Sequence, residues 1–597
     1  MTKSTILVAV LLLNLISCSK AELHCDSQYT PIAGIQGTSE QSPMAGQSVI
    51  TRGVITTEIY PDSPQAGWML QSLNTADHQQ QSHAIFLPAD RKLFNLEAGQ
   101  ILLLQGTIAE INQLTSITDV RAFKVCGQTE PSPIGVRLPL AEHSSWEALE
   151  GMWIRFEQPL VVNSTYHLGR YGEITLADKR LWSPTQVVKP GEAAQARATQ
   201  QERRTLVLDD GLWQQNPEPL LFPTVGGLTA EHSLRLGDMV TGVEGVLFRD
   251  QRGYRLVPTR QPEFHQQNPR PAAVPDKQAN QLRVASFNVL NFFTGADQPE
   301  AFPTRRGAQN QQELTRQTSK LVSAILAMDA DIVGLIELEN NGYDEGSAIA
   351  TLVAALNLQT NRPYQLVRTS EQPGSDAIKV GLIYRPDAVQ ESGHAATQTT
   401  APFTRLHRPP VAQTFRDQAS GKDITISVNH FKSKGGCPRN DHPLYAEMRD
   451  QGDGQACWNA ARMEATEALH RWLTQQPTGV DTPYHILMGD LNAYRMEDPI
   501  RWLEQQGWHY LSANADLPSY SFVFRGKSGS LDHALASTAL AALPMDVKHW
   551  PINADEPVLL DYSFGDKSER MQEQLYAPNP YRSSDHDPVI LTFSLQP

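Results

Sequence analysis

The sequence has no excess of basic residues, few cysteines and, after its N-terminus, no hydrophobic run long enough to form a transmembrane helix. Its 597 residues include 50 Lys and Arg against 65 Asp and Glu, so the formal net charge at pH 7 is -15. Proteins that passively coat nucleic acid are usually basic, and this balance argues against that class. It does not exclude an enzyme whose carboxylates hold cations that meet phosphate. The length predicts several domains.

An apolar N-terminal stretch predicts export. Lys3 precedes a hydrophobic run over residues 6–13, which is too short to span a bilayer as a mature helix. Residues 15–18 resemble a bacterial lipobox, in which residues 1–18 form the signal peptide and Cys18 is the lipidated residue. An ordinary signal peptide cut near Ala21 is the alternative. The mature protein is therefore expected outside the cell, on the cell surface as an outer-membrane lipoprotein, or in the periplasm.

The cysteine count supports lipidation and predicts disulfides. Five cysteines are present, and four remain when Cys18 is set aside. An even number in an oxidising compartment is typical of a disulfide-bonded protein. The predicted pairs are Cys25–Cys126, which brackets the first domain, and Cys437–Cys457, which closes a loop. Each pair is expected to contribute roughly 3 kcal/mol by restricting the unfolded chain.

The chain divides into a β-rich first half and a mixed second half. Residues 25–130 contain short apolar strands with glycine bends, a pattern that resembles an OB-like β-barrel. Residues 131–268 look like a diverged copy and predict a second OB-like domain, with chance similarity of two β-rich segments as the alternative. The proline-containing residues 269–281 predict a linker. Residues 282–597 alternate strands with helices, so the fold class of the whole chain is α+β.

Six segments of the second half share one design, an apolar strand that meets polar, titratable residues. These residues are, in chain order, Asn288, Glu337, His430 with Lys432, Asp490 with Asn492, Asp532, and Asp585 with His586. A carboxylate at the end of a buried strand is costly unless it is paired or binds a metal. Each segment alone has an ordinary structural explanation, such as a turn asparagine or a strand-end salt bridge. All six together predict one site.

The ordered motifs N-V, I-E, N-H, G-D-L-N-A, L-D-H and S-D-H-D-P resemble the endonuclease/exonuclease/phosphatase superfamily. The resemblance covers about residues 280–595. It implies a four-layer α/β/β/α sandwich over residues 282–597, with a site where the loops of two sheets converge. With its export signal and OB-like front, the whole chain is similar to the extracellular nucleases of Gram-negative bacteria.

The resemblance implies a divalent metal as cofactor. Mg²⁺ is expected, with Mn²⁺ as a substitute and Ca²⁺ as an additional ion. Glu337 resembles the principal metal ligand of the family, with Asn288, Asp490 and Asp585 in direct or water-mediated contact. Mg²⁺ keeps most of its waters and takes few carboxylates, which suits such a sparse acidic set.

The resemblance also implies catalytic roles. His586, polarised by Asp532, resembles the pair that activates the attacking water, and Asp490 could share the role of the base. His430 resembles the histidine that contacts the phosphate and helps the leaving group. Asn492 resembles a ligand of a phosphoryl oxygen that stabilises developing charge.

Three further residues are assigned near the phosphate. Lys432 and Arg462 are predicted to bind it, although a helix-face ion pair is an equal alternative for Arg462. Asp376 is expected to orient His430, in place of a glutamate that does so in pancreatic deoxyribonuclease.

The predicted function is that of an exported metal-dependent nuclease. It would hydrolyse phosphodiester bonds of DNA, with RNA as a further substrate, internally and with low sequence specificity. One alternative is a phosphodiesterase acting on lipid or small phosphate esters, because sphingomyelinases share these motifs. Another is an inactive nucleic-acid-binding module. The protein is expected to be a monomer, with the outer membrane as a partner if Cys18 is lipidated.

Overall fold

The computed structural model describes residues 23–75, 80–90, 95–141, 145–223, 227–369, 374–512 and 518–596. The chain forms two compact units: residues up to 132 with 146–153 and 247–253, and residues 133–145 with 154–246 and 254–597. In the ranges described, no helix has the length and hydrophobicity needed to cross a membrane. The predicted signal peptide, with Cys18, lies outside the described residues.

The described residues of the first unit form a β-barrel with a short α-helix beside it. Its elements are α1 Ile32–Gln36, β1 Ser48–Ile59, β2 Gly67–Gln71, β3 Ala84–Pro88, β4 Gln100–Ile111 and β5 Leu114–Gln128. The strands close in the order β1-β2-β3-β5-β4 around buried aliphatic residues that include Ile55, Leu70 and Leu104. The predicted disulfide Cys25–Cys126 is present. The five-stranded barrel agrees with a small β-domain here, and its OB-like character stays a prediction.

The described part of residues 134–265 contains nine strands and three α-helices. They are β6 Ile134–Val136, β7 Trp153–Phe156, β8 Leu160–Ser164, α2 Leu168–Tyr171, β9 Ile174–Ala177, α3 Pro184–Val187, α4 Glu192–Glu202, β10 Thr205–Leu208, β11 Met239–Thr241, β12 Glu244–Asp250, β13 Gly253–Pro258 and β14 Glu263–His265. They form one sheet in the order β14-β11-β8-β9-β10-β13-β12-β7-β6. Within the described residues this sheet is not closed, so it does not confirm the second OB-like barrel.

The predicted linker, residues 269–281, is fixed by contacts with the region that follows it. Arg270 donates two hydrogen bonds to the Glu556 carboxylate, both at 3.0 Å, and its guanidinium lies over the Tyr581 ring. The indole of Trp550 donates to the Ala272 carbonyl at 3.2 Å. This segment is therefore held against the region that follows it at Arg270 and Ala272, and its role as a stiff linker stays a prediction.

Residues 282–596 fold as a mixed α+β region. Its strands are β15 Leu282–Phe292, β16 Ile332–Glu339, β17 Gln365–Leu366, β18 Ile378–Tyr384, β19 Val389–Thr397, β20 Arg408–Asp417, β21 Asp423–His430, β22 His485–Asp490, β23 His509–Tyr510, β24 Phe522–Phe524, β25 Lys527–Gly529, β26 Asp532–Ala536, β27 Met545–His549 and β28 Val589–Phe593. Its helices are α5 Gln311–Met328, α6 Ala348–Asn357, α7 Tyr445–Met448, α8 Asn459–Thr474, α9 Asp498–Gln505, α10 Thr538–Ala541 and α11 Glu569–Gln574.

Two six-stranded sheets dominate this region. The first has the order β17-β18-β16-β15-β28-β27 and the second the order β19-β20-β21-β22-β26-β23, while β24 and β25 form a separate hairpin. Apolar residues of both sheets, such as Ile336 and Ile426, share one buried cluster. The other side of the first sheet packs on α5 and α6, and that of the second sheet on α8 and α9.

Strand β15 shows how the sequence pattern produces this packing. Side chains alternate across a strand, so Ala285 and Phe287 join the cluster under the helices. Val284 faces the second sheet, and Ser286 and Asn288 share its face of the strand. The apolar alternation therefore brings Asn288 to the space between the two sheets, at the end of its strand.

Candidate active site

The second sheet brings four site residues into one row. Arg408 at the start of β20 pairs in register with His430 at the end of β21. His430 pairs with Asp490 at the end of the parallel strand β22, and Asp490 pairs with Asp532 at the start of the antiparallel strand β26. Starts of antiparallel strands adjoin the ends of their neighbours. The row therefore follows directly from the strand directions.

The first sheet supplies the opposing residues. Glu337 lies near the end of β16, and Asn288 near the end of the adjacent parallel strand β15. The loop with His586 leads into β28, which pairs with β15 on its other side. The Ser584 hydroxyl fixes this loop by donating to the Asn288 carbonyl at 2.6 Å.

Backbone conformation aims two of these side chains. Glu337 has φ of 69° and Asn492 φ of 48°, in the left-handed region that favours glycine and costs other residues of order 1–3 kcal/mol. Local hydrogen bonds stabilise both positions: the Asn291 N–H donates to Glu337 Oε2 at 3.1 Å, and the Asn492 N–H donates to Asp490 Oδ1 at 2.9 Å. Strain that is compensated in this way is typical of functional sites.

Asp532 and His586 form a tightly held pair. His586 Nδ1 lies 2.6 Å from Asp532 Oδ2, and the ring of Phe522 packs against the imidazole with 4.7 Å between centroids. Burial alone would lower the pKa of His586, but the Asp532 and Asp585 carboxylates raise it well above its ordinary value. Although burial opposes the shift, His586 lowers the pKa of Asp532. The Asp532 carboxylate therefore accepts this hydrogen bond, and His586 Nδ1–H donates it.

His430 has the opposite surroundings. Its Nε2 lies 3.6 Å from Asp490 Oδ2 and 3.9 Å from Glu337 Oε1. Its Nδ1 is buried and has no hydrogen-bond partner among the described residues. Burial and the Arg408 guanidinium lower the pKa of His430 well below its ordinary value, which favours the neutral imidazole.

The prediction that Asp376 orients His430 is wrong. Asp376 instead lies 3.6 Å from the Arg408 guanidinium and 3.8 Å from that of Arg306. The Asp376 carboxylate is paired with these two guanidinium groups rather than with the His430 imidazole. The positions of the two arginines depend on strand pairing that the local sequence does not reveal.

The arrangement of carboxylates fits a divalent cation. Burial raises the pKa of Glu337, and the Asp585 carboxylate raises it further. Burial also raises the pKa of Asp490, to about 7. Facing carboxylates that repel one another in a buried site are stabilised when a cation binds between them. The Asn288 amide, which donates to Asp490 Oδ2 at 3.5 Å, belongs to the same group.

A buried group of two aspartates and a histidine offers further ligand atoms. Atoms of Asp490, Asp532 and His586 lie within 4.8 Å of one another. Asp532 and His586 are already bonded to each other, so Asp490 is the member of this group that remains best suited to a metal. Glu337, Asn288, Asp490 and Asp585 are thus the residues that could hold the ion, as predicted from the motifs, and their ligand role stays a prediction.

The remaining predicted residues contact the protein backbone. The Asn492 amide donates to the Phe431 carbonyl at 3.1 Å, and Lys432 Nζ donates to the carbonyls of Ser433 and Gly435. Arg462 is fully buried and donates to the carbonyls of Cys457, Gln455 and Lys432. Its guanidinium thus supports the segment behind His430. Phosphate binding by Lys432 and Arg462 stays a prediction.

Sequence reasoning missed several residues of the site. Ser521 donates to Asp532 Oδ2 at 2.6 Å. Asn553 donates to the His586 carbonyl at 2.7 Å and accepts from the Ser583 N–H at 2.8 Å. Arg408 stands beside His430. For Arg408, a basic residue followed by two prolines at the start of an apolar run was the one feature of the sequence that could have indicated a functional role. Ser521 and Asn553 lie in loops without a regular pattern, so the sequence gives no such indication for them.

Buried carboxylates and two histidines thus come together in one site, an arrangement that suits a phosphoester hydrolase. A model of the Endonuclease/Exonuclease/phosphatase family matches residues 285–586, just over half of the chain. The protein therefore belongs to this family. A second model, a Domain of unknown function (DUF8508), matches residues 143–268. No curated protein matches the chain.

Solved structures with a similar fold come from distant proteins. The human nocturnin catalytic domain with bound sulfate is 17% identical, covers 53% of this chain and 96% of its own, and has a TM-score of 0.32. A humanised D. rerio TDP2 is 16% identical, with 53% and 100% coverage and a TM-score of 0.33. A mannosyl-6-phosphatase of Bacteroides thetaiotaomicron is 14% identical, with 52% and 98% coverage and a TM-score of 0.31.

Proposed function

We propose that this protein is an exported, Mg²⁺-dependent endonuclease that hydrolyses phosphodiester bonds of DNA with low sequence specificity. The observation that carries the proposal is the pairing of Asp532 with His586 across from Glu337, Asp490 and His430. In this group His586 is the base and the carboxylates form a cation site. His430 is a second histidine, whose pKa is shifted in the opposite direction. Family membership supports the reaction class, which is hydrolysis of a phosphoester.

His586 is the group that activates water. Its Nδ1 is committed to Asp532, so Nε2 is the nitrogen that accepts a proton. The carboxylate fixes the tautomer and stabilises the imidazolium that forms as the water attacks phosphorus. Phe522 covers the imidazole and limits its rotation.

The opposite side of the site receives the phosphate. His430 is neutral, so it can donate a hydrogen bond to a phosphoryl or leaving oxygen without repelling the cation site. Arg408 supplies positive charge beside it, and Asn492 lies one strand away. Donors placed where charge develops stabilise a transition state in a site that excludes water.

Glu337 and Asp490 would hold Mg²⁺, with Asn288 and Asp585 in direct or water-mediated contact. When bound, the ion neutralises phosphate charge and stabilises the developing negative charge. A small number of carboxylates suits Mg²⁺, which keeps several waters and takes the substrate phosphate. Mn²⁺ is expected to substitute for it.

Export is supported by the N-terminal apolar run and by both disulfides, Cys25–Cys126 and Cys437–Cys457. Disulfides persist in oxidising compartments and are rare in the cytosol. The second disulfide closes the segment whose carbonyls Arg462 holds. Lipidation at Cys18 is part of the proposal, and mass spectrometry of the mature protein would show the lipidated N-terminal cysteine.

The function can be tested with supercoiled plasmid DNA, RNA and sphingomyelin vesicles in parallel. Each substrate is incubated with Mg²⁺, Mn²⁺, Mg²⁺ plus Ca²⁺, or EDTA, and with His586→Ala protein as the matched control. We expect conversion of the plasmid to nicked and then linear forms in Mg²⁺, and none in EDTA or with the variant.

The outcomes separate the candidates. Circular DNA has no ends, so cleavage of the plasmid establishes internal cutting. Hydrolysis of sphingomyelin without DNA cleavage would replace the proposal with a lipid phosphodiesterase. Binding of DNA without cleavage in any metal would make the protein a binding module.

A further inference from the structure

The segment 519–530 connects the preceding domain to the catalytic pair. Its Ser521 hydroxyl donates to Asp532 Oδ2 at 2.6 Å and accepts from the Asp532 N–H at 3.2 Å. The Ser521 carbonyl accepts from the Asp587 N–H at 2.8 Å, next to His586. Phe522 then packs on the His586 ring. Any shift of this segment therefore changes both partners of the pair.

Gln186 holds both ends of this segment. It lies in residues 143–268, which match the domain of unknown function. Its side-chain amide donates to the Ser519 carbonyl at 2.9 Å, and its oxygen accepts from the Ser530 N–H at 3.0 Å. The side chain is 3% exposed. One buried amide thus joins Ser519 and Ser530, the two ends of the segment. Because the amide is buried, water cannot replace either hydrogen bond if the amide is removed.

A backbone bridge adds to this hold. The Ser528 N–H donates to the Leu181 carbonyl at 2.9 Å, and the Ser183 N–H donates to the Ser528 carbonyl at 2.8 Å. Trp182 and Ser528 consequently form a parallel β-bridge. Strand β25 is therefore paired on one side by β24 and on the other by the preceding domain.

Arg180 completes the connection through charge. It donates to the Ser528 hydroxyl at 3.0 Å and to Asp555 Oδ1 at 2.9 Å, and the Tyr520 hydroxyl donates to Asp555 Oδ2 at 2.6 Å. The guanidinium also lies over the Tyr520 ring, 4.6 Å from its centroid. Tyr520 directly precedes Ser521, so this buried network ends at the residue that holds Asp532.

We infer that the domain over residues 143–268 is a working part of the active site, in which Arg180 and Gln186 are positioning residues for Asp532 and His586. They act through the segment 519–530 and touch no substrate. The inference rests on the proposed function, in which this pair activates water. It assigns a role to a domain of unknown function: holding the catalytic pair in geometry that allows proton transfer.

The test is Gln186→Met, which keeps the shape of the side chain and removes its hydrogen bonds with Ser519 and Ser530, together with a longer one from the Arg495 N–H at 3.4 Å. The matched control is Gln195→Met, because Gln195 also reaches from this domain to the catalytic region but donates to the Gly452 carbonyl, at 2.7 Å. Steady-state kinetics in Mg²⁺ should show kcat reduced on the order of 10–100-fold, as for residues that orient catalytic groups. KM should stay within about threefold, because substrate binding is not changed. Gln195→Met should match the wild type.

A second comparison separates positioning from a general structural effect. In a His586→Ala background, Gln186→Met should cause no further loss of the residual rate, because residues acting through one group are not additive. Thermal unfolding identifies variants that do not fold. If Gln186→Met does not fold, Gln186→Glu replaces it, since that variant keeps the acceptor for Ser530 and should show a smaller loss of kcat.

Two results would overturn the inference alone: wild-type kcat in a folded Gln186 variant, or an equal loss of rate with and without His586. A wild-type protein that hydrolyses no DNA, RNA or lipid ester would overturn the proposed function first, and the inference with it. The wild-type assay is therefore run on all three substrates, and the variants on whichever is cleaved.

Discussion

The two histidines of the site are both buried near Asp490, yet their pKa values are shifted in opposite directions. His586 has a carboxylate at 2.6 Å and a pKa raised well above its ordinary value. His430 has a cation beside it, a buried Nδ1 to which none of the described residues is hydrogen-bonded and a pKa lowered well below its ordinary value. The same side chain is thus prepared to gain a proton on one side of the site and to stay neutral on the other.

This difference shows how the fold assigns roles. Neighbouring groups that push the pKa values of two residues apart also assign acid and base functions to them. The first sheet provides the loop of His586, and the second sheet provides His430 together with the carboxylate that holds His586. His586 therefore depends on both sheets and His430 on the second, and variants of the carboxylates beside them can test the two roles separately.

The largest expected effect comes from removing either imidazole. His586→Ala should lower kcat by about 10³-fold or more, because it removes the base, and His430→Ala should lower it by about 10²–10³-fold. Single-turnover cleavage of a labelled oligonucleotide measures both, with circular dichroism as the check on folding. Near wild-type activity in either variant would show that the site is misplaced.

The next prediction compares Asp532, which pairs with His586, with Asp376, which the sequence had placed beside His430. Asp532→Asn should reduce kcat by about 10²–10³-fold, because the amide no longer stabilises the imidazolium. The matched Asp376→Asn should cost less than about threefold, since Asp376 pairs with arginines and not with His430. Equal losses in the two variants would remove the asymmetry that separates the histidines.

The pH profile of the same variant gives the sign of the effect. His586 must be neutral to accept a proton, so the wild-type rate should fall as the pH drops through its raised pKa. Removing the Asp532 carboxylate lowers that pKa. The acid limb of the Asp532→Asn profile should therefore move to lower pH, and that of His430→Ala should not move.

A smaller effect is expected on the phosphate side. Arg408→Met should reduce kcat/KM by about 10-fold, because one charge beside His430 is lost. Arg416 provides the control, since it lies in the same strand and pairs with Asp423 at the exposed far end. Arg416→Met should leave the kinetics unchanged, and a similar loss in both variants would point to damage of β20 rather than to lost charge.

The smallest effect on activity is expected far from both histidines, at Asp209 after β10. Burial and the Asp210 carboxylate raise the pKa of Asp209 to about 8, well above the ordinary value of about 3.9. Its stabilising contribution is complete below about pH 4 and is lost as the pH rises through 8.

Asp209→Asn should abolish this loss of folding stability at higher pH, because the amide does not titrate. Urea unfolding at pH 5 and pH 8.5 should show the variant losing less stability than the wild type, by on the order of 1 kcal/mol or more. The activity should be unchanged. A parallel pH dependence of unfolding in both proteins would contradict the shifted pKa.

Much of this site could be predicted from the sequence, because its residues end or begin apolar strands. Asn288, Glu337 and Asp490 each follow a recognisable run, and converging strand ends bring them together. The disulfides Cys25–Cys126 and Cys437–Cys457 were also predicted, and both are present. Strand patterns together with the family resemblance were sufficient for the site residues, and the cysteine count was sufficient for the disulfides.

Pairing between distant segments could not be predicted. Gln186 and Ser530 are 344 positions apart. Helix α3, which contains Gln186, has only four residues, too few for a periodic pattern, and Ser530 lies between two strands. Arg408 contacts the site because of strand register, and Asp376 was misassigned for the same reason. The apparent repeat in residues 131–268 suggested a second barrel, but short β-branched runs are equally compatible with one wide sheet.

The left-handed backbone at Glu337 and Asn492 has a consequence for efforts to engineer this protein. Glycine is the residue that adopts φ near 69° or 48° without cost, so Glu337→Gly and Asn492→Gly relieve strain while removing a carboxylate and an amide from the site. Screening variants for heat resistance alone would therefore favour inactive proteins at these two positions. Selection for thermostability has to be coupled to a measurement of hydrolysis.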